Sequence, residues 1–249
     1  MIPLCGRISF FVVELSYDLH IHSCLSPCGD GEMLPSDIVG MAYVKGLDVI
    51  AVTDHNSCKN CPAVLKKAEE YGLTAIPGME LCTAEEVHVL CLFPELEAAL
   101  AFDERVRCTL PAIKNRPDIF GEQLIVDEND RVIGSEPYLL ISAASIPFDA
   151  VYAQTAELGG IMIPAHIDKG SNSLLSNLGF IPPDSRFSCA ELRSPAKAEE
   201  LRSRHPYLQG CRLITNSDAH RLEEIHEPVN FLSADSRDPA DILRALIIK

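Results

Sequence analysis

No stretch of this sequence approaches the roughly 20 consecutive apolar residues that a bilayer-crossing helix needs, so no membrane span is expected. Positive charge is scarce. The 21 basic side chains stand against 36 acidic ones, a formal net charge of -15. That balance argues against a broad electrostatic grip on nucleic acid or anionic lipid, while leaving room for a local cationic pocket. No export signal is expected either. The opening "MIPLCGRISFFVVELSY" places a single basic residue, Arg7, before a short apolar patch, Phe10 to Val13, with no small-residue cleavage pattern. It reads as an N-terminal extension or first strand. The 10 cysteines are therefore expected as reduced thiols of a cytoplasmic protein, not as a disulfide framework. Repeats, low-complexity tracts and linkers are absent, and residues 1–249 read as one domain.

What is present is ordinary globular material, 47% hydrophobic and 23% charged, arranged with a βα rhythm. "YDLHIHS" reads as a strand, and "LPSDIVGMAYVKG" as a helix that starts on Pro35 and stops at Gly46. The apolar, β-branched run "LDVIAVTDH" follows, then the helix "CPAVLKKAEEYG" with Pro62 and Gly72 in the same places. "LTAIPGMEL" and "EEVHVLCLF" read as strands, and "PELEAALAFDERVR" as a helix. This alternation builds a parallel sheet, open or closed. It is interrupted at about 118–136, where "GEQLIVDENDRVIGS" reads as an inserted β-hairpin turning at "DEND". Further on, "IMIPAH", "SCAELRS" and "CRLITNSDAH" read as strands, and a last helix begins at Asp238 as its cap.

The ionisable residues gather at the strand ends. His20 and His22 end the first strand, where period-2 geometry puts both on one face and Leu19 and Ile21 on the other. Asp54 and His55 end the second strand and Glu80 the third; His88 lies on the fourth. His166 ends the strand after the hairpin, and Asp218 and His220 end the last core strand. Of 8 histidines, only His205 and His226 fall outside this set. Active sites of α/β folds form at the carboxyl ends of strands. Burying so many polar groups at one rim is costly unless something pairs with them. Divalent cations are the economical partner, and histidine with carboxylate suits Zn, Mn or Fe. The ligand count implies two or three ions sharing a carboxylate.

"DLHIHS", "TDHN", the Glu80 and His88 pair, "PAHID" and "SDAH" resemble, in order and spacing, the motifs of the polymerase and histidinol phosphatase (PHP) superfamily, over about Asp18 to His220. The resemblance implies a distorted seven-stranded β/α barrel with a metal cluster at its C-terminal mouth, used to hydrolyse phosphate esters. It assigns His20, His22, His55, Glu80, His88, His166, Asp218 and His220 as metal ligands, Glu80 as the bridging carboxylate. Where the family pattern has Ser-Asp-Gly soon after the first motif, this chain has "HSCLSPCGDG", in which Pro27, Cys28 and Gly29 separate Ser26 from Asp30-Gly31. Asp30 is expected as the displaced ligand, with Cys28 its rival. Asp54 is expected to orient a ligand or a water.

The expected reaction is metal-dependent hydrolysis of a phosphomonoester or phosphodiester by a metal-bound hydroxide. Lys169, Arg193 and Arg221 are the candidate phosphate-binding residues. A small phosphorylated substrate is the expected partner, and the acidic balance makes long nucleic acid the least favoured one. A metal-dependent amidohydrolase and a non-catalytic accessory domain are the alternatives. Cys24 and Cys28, with the Cys-x-x-Cys pair Cys58 and Cys61, offer a separate structural zinc site if the first two strand ends bring them together.

Overall fold

The computed structural model describes residues 12–247, so the reading of the opening segment lies almost wholly outside the described residues. Strand β1 (Val13–Ile21) sets the frame. Leu15, Tyr17, Leu19 and Ile21 point to one side and Ser16, Asp18 and His20 to the other, and all of them are buried. Helix α1 (Pro35–Lys45) begins on Pro35 and ends at Gly46 in the left-handed region, φ 82°. After β2 (Val49–Val52), helix α2 (Cys61–Tyr71) stops in the same way at Gly72, φ 71°. Only glycine takes this conformation without steric cost, and it lets the cap N–H bond the last-turn carbonyls.

The segment "LTAIPGMEL" is not one strand. Pro77 supplies no N–H to continue a ladder. β3 (Thr74–Ala75) therefore pairs parallel with β2, while β4 (Gly78–Cys82) leaves for a second sheet. The link from β4 to β5 (His88–Leu92) spans only residues 83–87, too short for a crossover helix. The pair is antiparallel, contrary to the all-parallel expectation. This reversal matters for the site, because it sets His88, the first residue of β5, opposite Cys82, the last of β4.

Helix α3 (Leu96–Arg107) buries Ala99, Phe102 and Val106. After the short α4 (Pro117–Phe120), the expected hairpin is present as β6 (Leu124–Val126) and β7 (Val132–Ser135). Its turn is held by Asp127, whose Oδ1 accepts from the N–H groups of Asn129 and Arg131, both at 2.9 Å. The hairpin is fastened to the body by Asn60, whose side chain bonds both Leu124 O and Val126 N at 3.1 Å. Helix α5 (Phe148–Glu157) leads to β8 (Ile161–Pro164), which pairs antiparallel with β5. The short α6 (Leu174–Asn177) precedes β9 (Cys189–Glu191), and α7 (Ala198–Arg204) precedes β10 (Arg212–Ile214), parallel to β9. β11 (Phe231–Ala234) returns antiparallel beside β1, and α8 (Pro239–Ile247) starts from Asp238, which accepts from Ala240 N at 2.8 Å.

The result is a mixed α/β fold whose strands form sheets ordered β11-β1-β2-β3, β4-β5-β8 and β9-β10, beside the hairpin. Backbone contacts tie the sheets together at one end. Ile21 bridges Ala219, His55 bridges Glu80, and Ile167 N donates to Glu191 O at 2.9 Å. Among the described residues, no helix is long and apolar enough to cross a membrane.

The base of β1 and β2 is locked by Asp48. Its Oδ2 accepts from Ser16 N at 3.0 Å and Ser16 Oγ at 2.8 Å, and its Oδ1 from Arg237 at 2.7 Å. Burial alone would raise this carboxyl, but the hydrogen bonds from Ser16 and Arg237 outweigh it and hold the group below its ordinary value of 3.8. A depressed folded-state value stabilises above the unfolded value, and the stabilisation is lost as pH falls through the folded one. Asp48→Ala is expected to lower stability by about 1–2 kcal/mol at pH 7. In urea titrations the gap from wild type should narrow below about pH 4, and an equal gap at all pH values would contradict the assignment.

Candidate metal centre

The rim defined by those contacts collects the ionisable residues. His20 and His22 leave the end of β1, where the register with β2 shifts between Asp18 and Ile21. His55 follows β2, Glu80 sits in β4, His88 opens β5, His166 follows β8, and Asp218 and His220 follow β10. His166 and Asp218 have φ of 30° and 55°, a conformation unfavourable for residues with a side chain and typically retained where function demands it.

Glu80 is at the centre, 1% exposed. Its Oε1 lies 2.9 Å from His88 Nδ1, 3.0 Å from His166 Nε2 and 3.3 Å from His20 Nε2. Its Oε2 lies 3.0 Å from His55 Nδ1 and 3.4 Å from His22 Nε2. Asp218 Oδ1 is 3.4 Å from His20 Nε2 and 3.5 Å from His22 Nε2, and those two ring nitrogens face each other at 3.2 Å. Ligand atoms about 2.0–2.2 Å from one ion stand roughly 3.0–3.5 Å apart, the spacing seen here.

Hydrogen bonding satisfies only part of this cluster, the Oε1 of Glu80 being within hydrogen-bond distance of His88 and His166. His55 Nδ1, Glu80 Oε2 and His166 Nδ1 are buried without a hydrogen-bond partner, although the first two are only 3.0 Å apart. Two nitrogens facing each other and a carboxylate oxygen left without a donor are the arrangement of lone pairs converging on a cation. The donor set of imidazole and carboxylate suits Zn, Mn or Fe. In the protein alone these groups strongly perturb one another. Burial would raise Glu80, but His88, His20 and His55 around it hold it well below the carboxylate range. Burial would lower His88, yet the charge of Glu80 pushes it up to about 10. Burial, with His55 and His220 nearby, drives His22 well below the usual histidine value.

A second layer orients the ligands. Glu191, the last residue of β9, contacts His20 Nδ1 at 3.0 and 3.1 Å and accepts from His166 N at 2.8 Å and Asn216 Nδ2 at 2.7 Å. Holding Nδ1 turns His20 Nε2 toward the cluster. Glu191 is absent from the sequence reading, though it obeys the same strand-end regularity that exposed the histidines. His22 Nδ1 is 3.0 Å from Ser26 Oγ, which donates to Asp54 at 2.7 Å. Asp54 also accepts from the N–H and Oγ of Ser23 at 2.7 and 2.6 Å. Asp54 thus acts through Ser26 on His22, a positioning residue.

Some expected residues lie elsewhere. Asp30 is exposed, and its Oδ1 accepts from Glu32 N at 3.0 Å in a local turn. The Sγ of Cys28, the rival of Asp30, and ligand nitrogens of His22, His55 and His220 all lie within 4.8 Å of one another. The four-cysteine zinc site is not assembled. Cys24 faces Leu124 O and Asn60, Cys61 faces the carbonyls of Val52 and Gly78, and Cys58 is in the apolar core. Lys169 Nζ is 3.0 Å from Asp218 Oδ2. Lys169 and Arg193 line a cleft of about 380 Å³ with His166, Asp218 and His220. Arg221 is exposed and does not line it.

The PHP domain family model matches residues 18–221. A 5'-3' exoribonuclease of Haemophilus influenzae is 32% identical over 99 residues, 36% of this chain and 35% of that protein. Among solved structures, the lesion-specific endonuclease PfuEndoQ of Pyrococcus furiosus is similar with a TM-score of 0.66 and 20% identity, over 94% of this chain and 56% of the other. A Bifidobacterium adolescentis protein proposed to be a metal-dependent phosphoesterase is similar with a TM-score of 0.56 and 18% identity, over 82% and 87%. The chain thus spans about half of the endonuclease, and the match spans about a third of the exoribonuclease.

These relatives correct the expectation about partners. One is an exoribonuclease, and endonuclease Q is solved with a 27-mer duplex substrate carrying an abasic lesion at the active site. They point away from a small phosphorylated molecule and toward nucleic acid. The net charge of -15 sums the whole surface and carries no record that Lys169 and Arg193 line one cleft. For the centre itself, Glu191→Gln is expected to weaken metal affinity about 10–100-fold while the fold persists, read by competition with a chromogenic chelator. Unchanged affinity would remove Glu191 from this role.

Proposed function

The chain belongs to the PHP domain family, and from that premise we propose that it hydrolyses phosphodiester bonds of a nucleic acid. The observation that carries this reading is the convergence of five histidine nitrogens on the two oxygens of Glu80, beside a cleft lined by Lys169 and Arg193. The nucleic-acid part is supported by the exoribonuclease and endonuclease relatives. We read the strands β1, β2, β4, β5, β8, β9 and β10 as one distorted barrel, supported by the bridges from Ile21 to Ala219 and from His55 to Glu80.

His20, His22, Glu80 and Asp218 would hold one ion, and Glu80 with His88 and His166 would hold a second. When bound, such ions neutralise charge on the phosphoryl oxygens and make a water acidic enough to attack near neutral pH. The protein's own groups prepare the rest. Glu191 and Ser26 hold the Nδ1 atoms of His20 and His22, so both Nε2 atoms point at the cluster. Lys169 contacts Asp218 on the cleft side, where a cation stabilises the charge that builds on phosphoryl oxygen in the transition state. Arg193, on the same wall, holds a flanking phosphate.

The test is hydrolysis of 5'-labelled single-stranded and duplex oligonucleotides, and of a phosphomonoester, by metal-stripped and Mn²⁺- or Zn²⁺-loaded protein. Cleavage of oligonucleotides by loaded protein alone is expected, with Lys169→Gln about 100-fold slower and His20→Ala inactive. Activity in stripped protein, or turnover of the monoester only, would overturn the proposal.

A further inference from the structure

The loop between β1 and α1 carries a thiol into the cluster. It is wound tightly: Ser26 N donates to Ser23 O at 3.0 Å, Gly29 N to Ser26 O at 2.9 Å, and Asp30 N to His220 O at 2.9 Å. A Cβ on Gly29 would lie 2.4 Å from Ser23 O, closer than real contacts allow, so glycine is required for the loop to lie down against the rim. The bond from Asp30 N to His220 O then sets Cys28 beside His220. Its Sγ and the ligand nitrogens of His22, His55 and His220 lie within 4.8 Å of one another.

The members of this group are not equally free. His22 Nδ1 is taken by Ser26 Oγ, and its remaining nitrogen is 3.2 Å from His20 Nε2 and 3.5 Å from Asp218 Oδ1. It is committed to that neighbouring set. Cys28, His55 and His220 remain. His55 is 6% exposed; its Nδ1, without a hydrogen bond, lies 3.0 Å from Glu80 Oε2, so this ring adjoins the Glu80 set as well as the Cys28 group. Three protein ligands with a position left open is the arrangement of a catalytic zinc site.

We propose that Cys28 is a metal ligand, its thiolate binding an ion together with His55 and His220 in the place expected for Asp30. The proposal rests on the metal-dependent reading above and adds the identity of one ligand and its consequence. A thiolate prefers Zn²⁺, Fe²⁺ or Co²⁺ to Mg²⁺ or Mn²⁺, so this position biases the centre toward the softer ions. Because Cys28 is exposed, an alkylating agent can reach this thiol when no ion covers it.

The test uses the full chain loaded with Co²⁺ and its Cys28→Ser and Cys28→Asp variants. Wild type should show a near-ultraviolet thiolate-to-cobalt charge-transfer band, and both variants should lose it. In parallel, iodoacetamide labelling followed by peptide mass analysis should modify Cys28 in metal-free protein and spare it after zinc loading. Cys108, also exposed and outside every ligand group among the described residues, should be labelled equally in both and serves as the internal standard. Cobalt uptake without the band, a band that survives in Cys28→Ser, or equal labelling of Cys28 with and without zinc would overturn the proposal while leaving the metal centre intact. Absence of any cobalt uptake would overturn both.

Discussion

One buried carboxylate governs this structure. Glu80 stands in the strand β4, 1% exposed, with histidine nitrogens from five separate positions within 3.4 Å of its two oxygens. Protons alone cannot satisfy such a group. If every ring carried one, the histidines would repel one another, and if none did, nitrogen lone pairs would face carboxylate oxygens in a medium that screens poorly. The unbonded Oε2 of Glu80 and Nδ1 of His55 and His166 are the visible remainder of that conflict. Divalent cations resolve it, and much of the architecture can be understood as holding the ligands in place against their own repulsion.

The scaffold does this by making strands end together. β4 and β5 reverse direction so that His88 arrives at the same rim as Cys82, and His55 and Glu80 are linked by a backbone bridge. The unfavourable φ at His166 and Asp218 turns the chain just after β8 and β10, a local cost that the surrounding packing must over-determine. Behind the ligands, Glu191 and the Asp54–Ser26 pair fix which nitrogen of His20 and His22 is available. Each of these residues acts through another, although Glu191, 2% exposed, also lines the cleft.

How much of this could be read from the chain depends on what kind of signal each part leaves. The histidines and Glu80 were legible because period-2 strands and their polar ends give a regular pattern, and the antiparallel turn between β4 and β5 could have been inferred from a link too short to cross over. Glu191 was missed because "AEL" looks like any acidic strand terminus; its importance comes from His20, 171 residues away in sequence. Asp30 and Cys28 are not separable in sequence because a loop has no period; in the fold Asp30 N donates to His220 O and the Cys28 Sγ lies among the histidines. Net charge carries no information about where the cations Lys169 and Arg193 sit. The break between β3 and β4 at Pro77 likewise depends on a missing N–H and not on hydrophobicity.

The most direct test of the central claim is the metal content of the purified full chain, measured by elemental mass spectrometry for wild type and Glu80→Gln, with circular dichroism to confirm that both are folded. The account predicts more than one transition-metal ion per wild-type chain and a loss of most of it in the variant. A folded wild-type protein that neither carries nor takes up zinc, manganese or iron would contradict it.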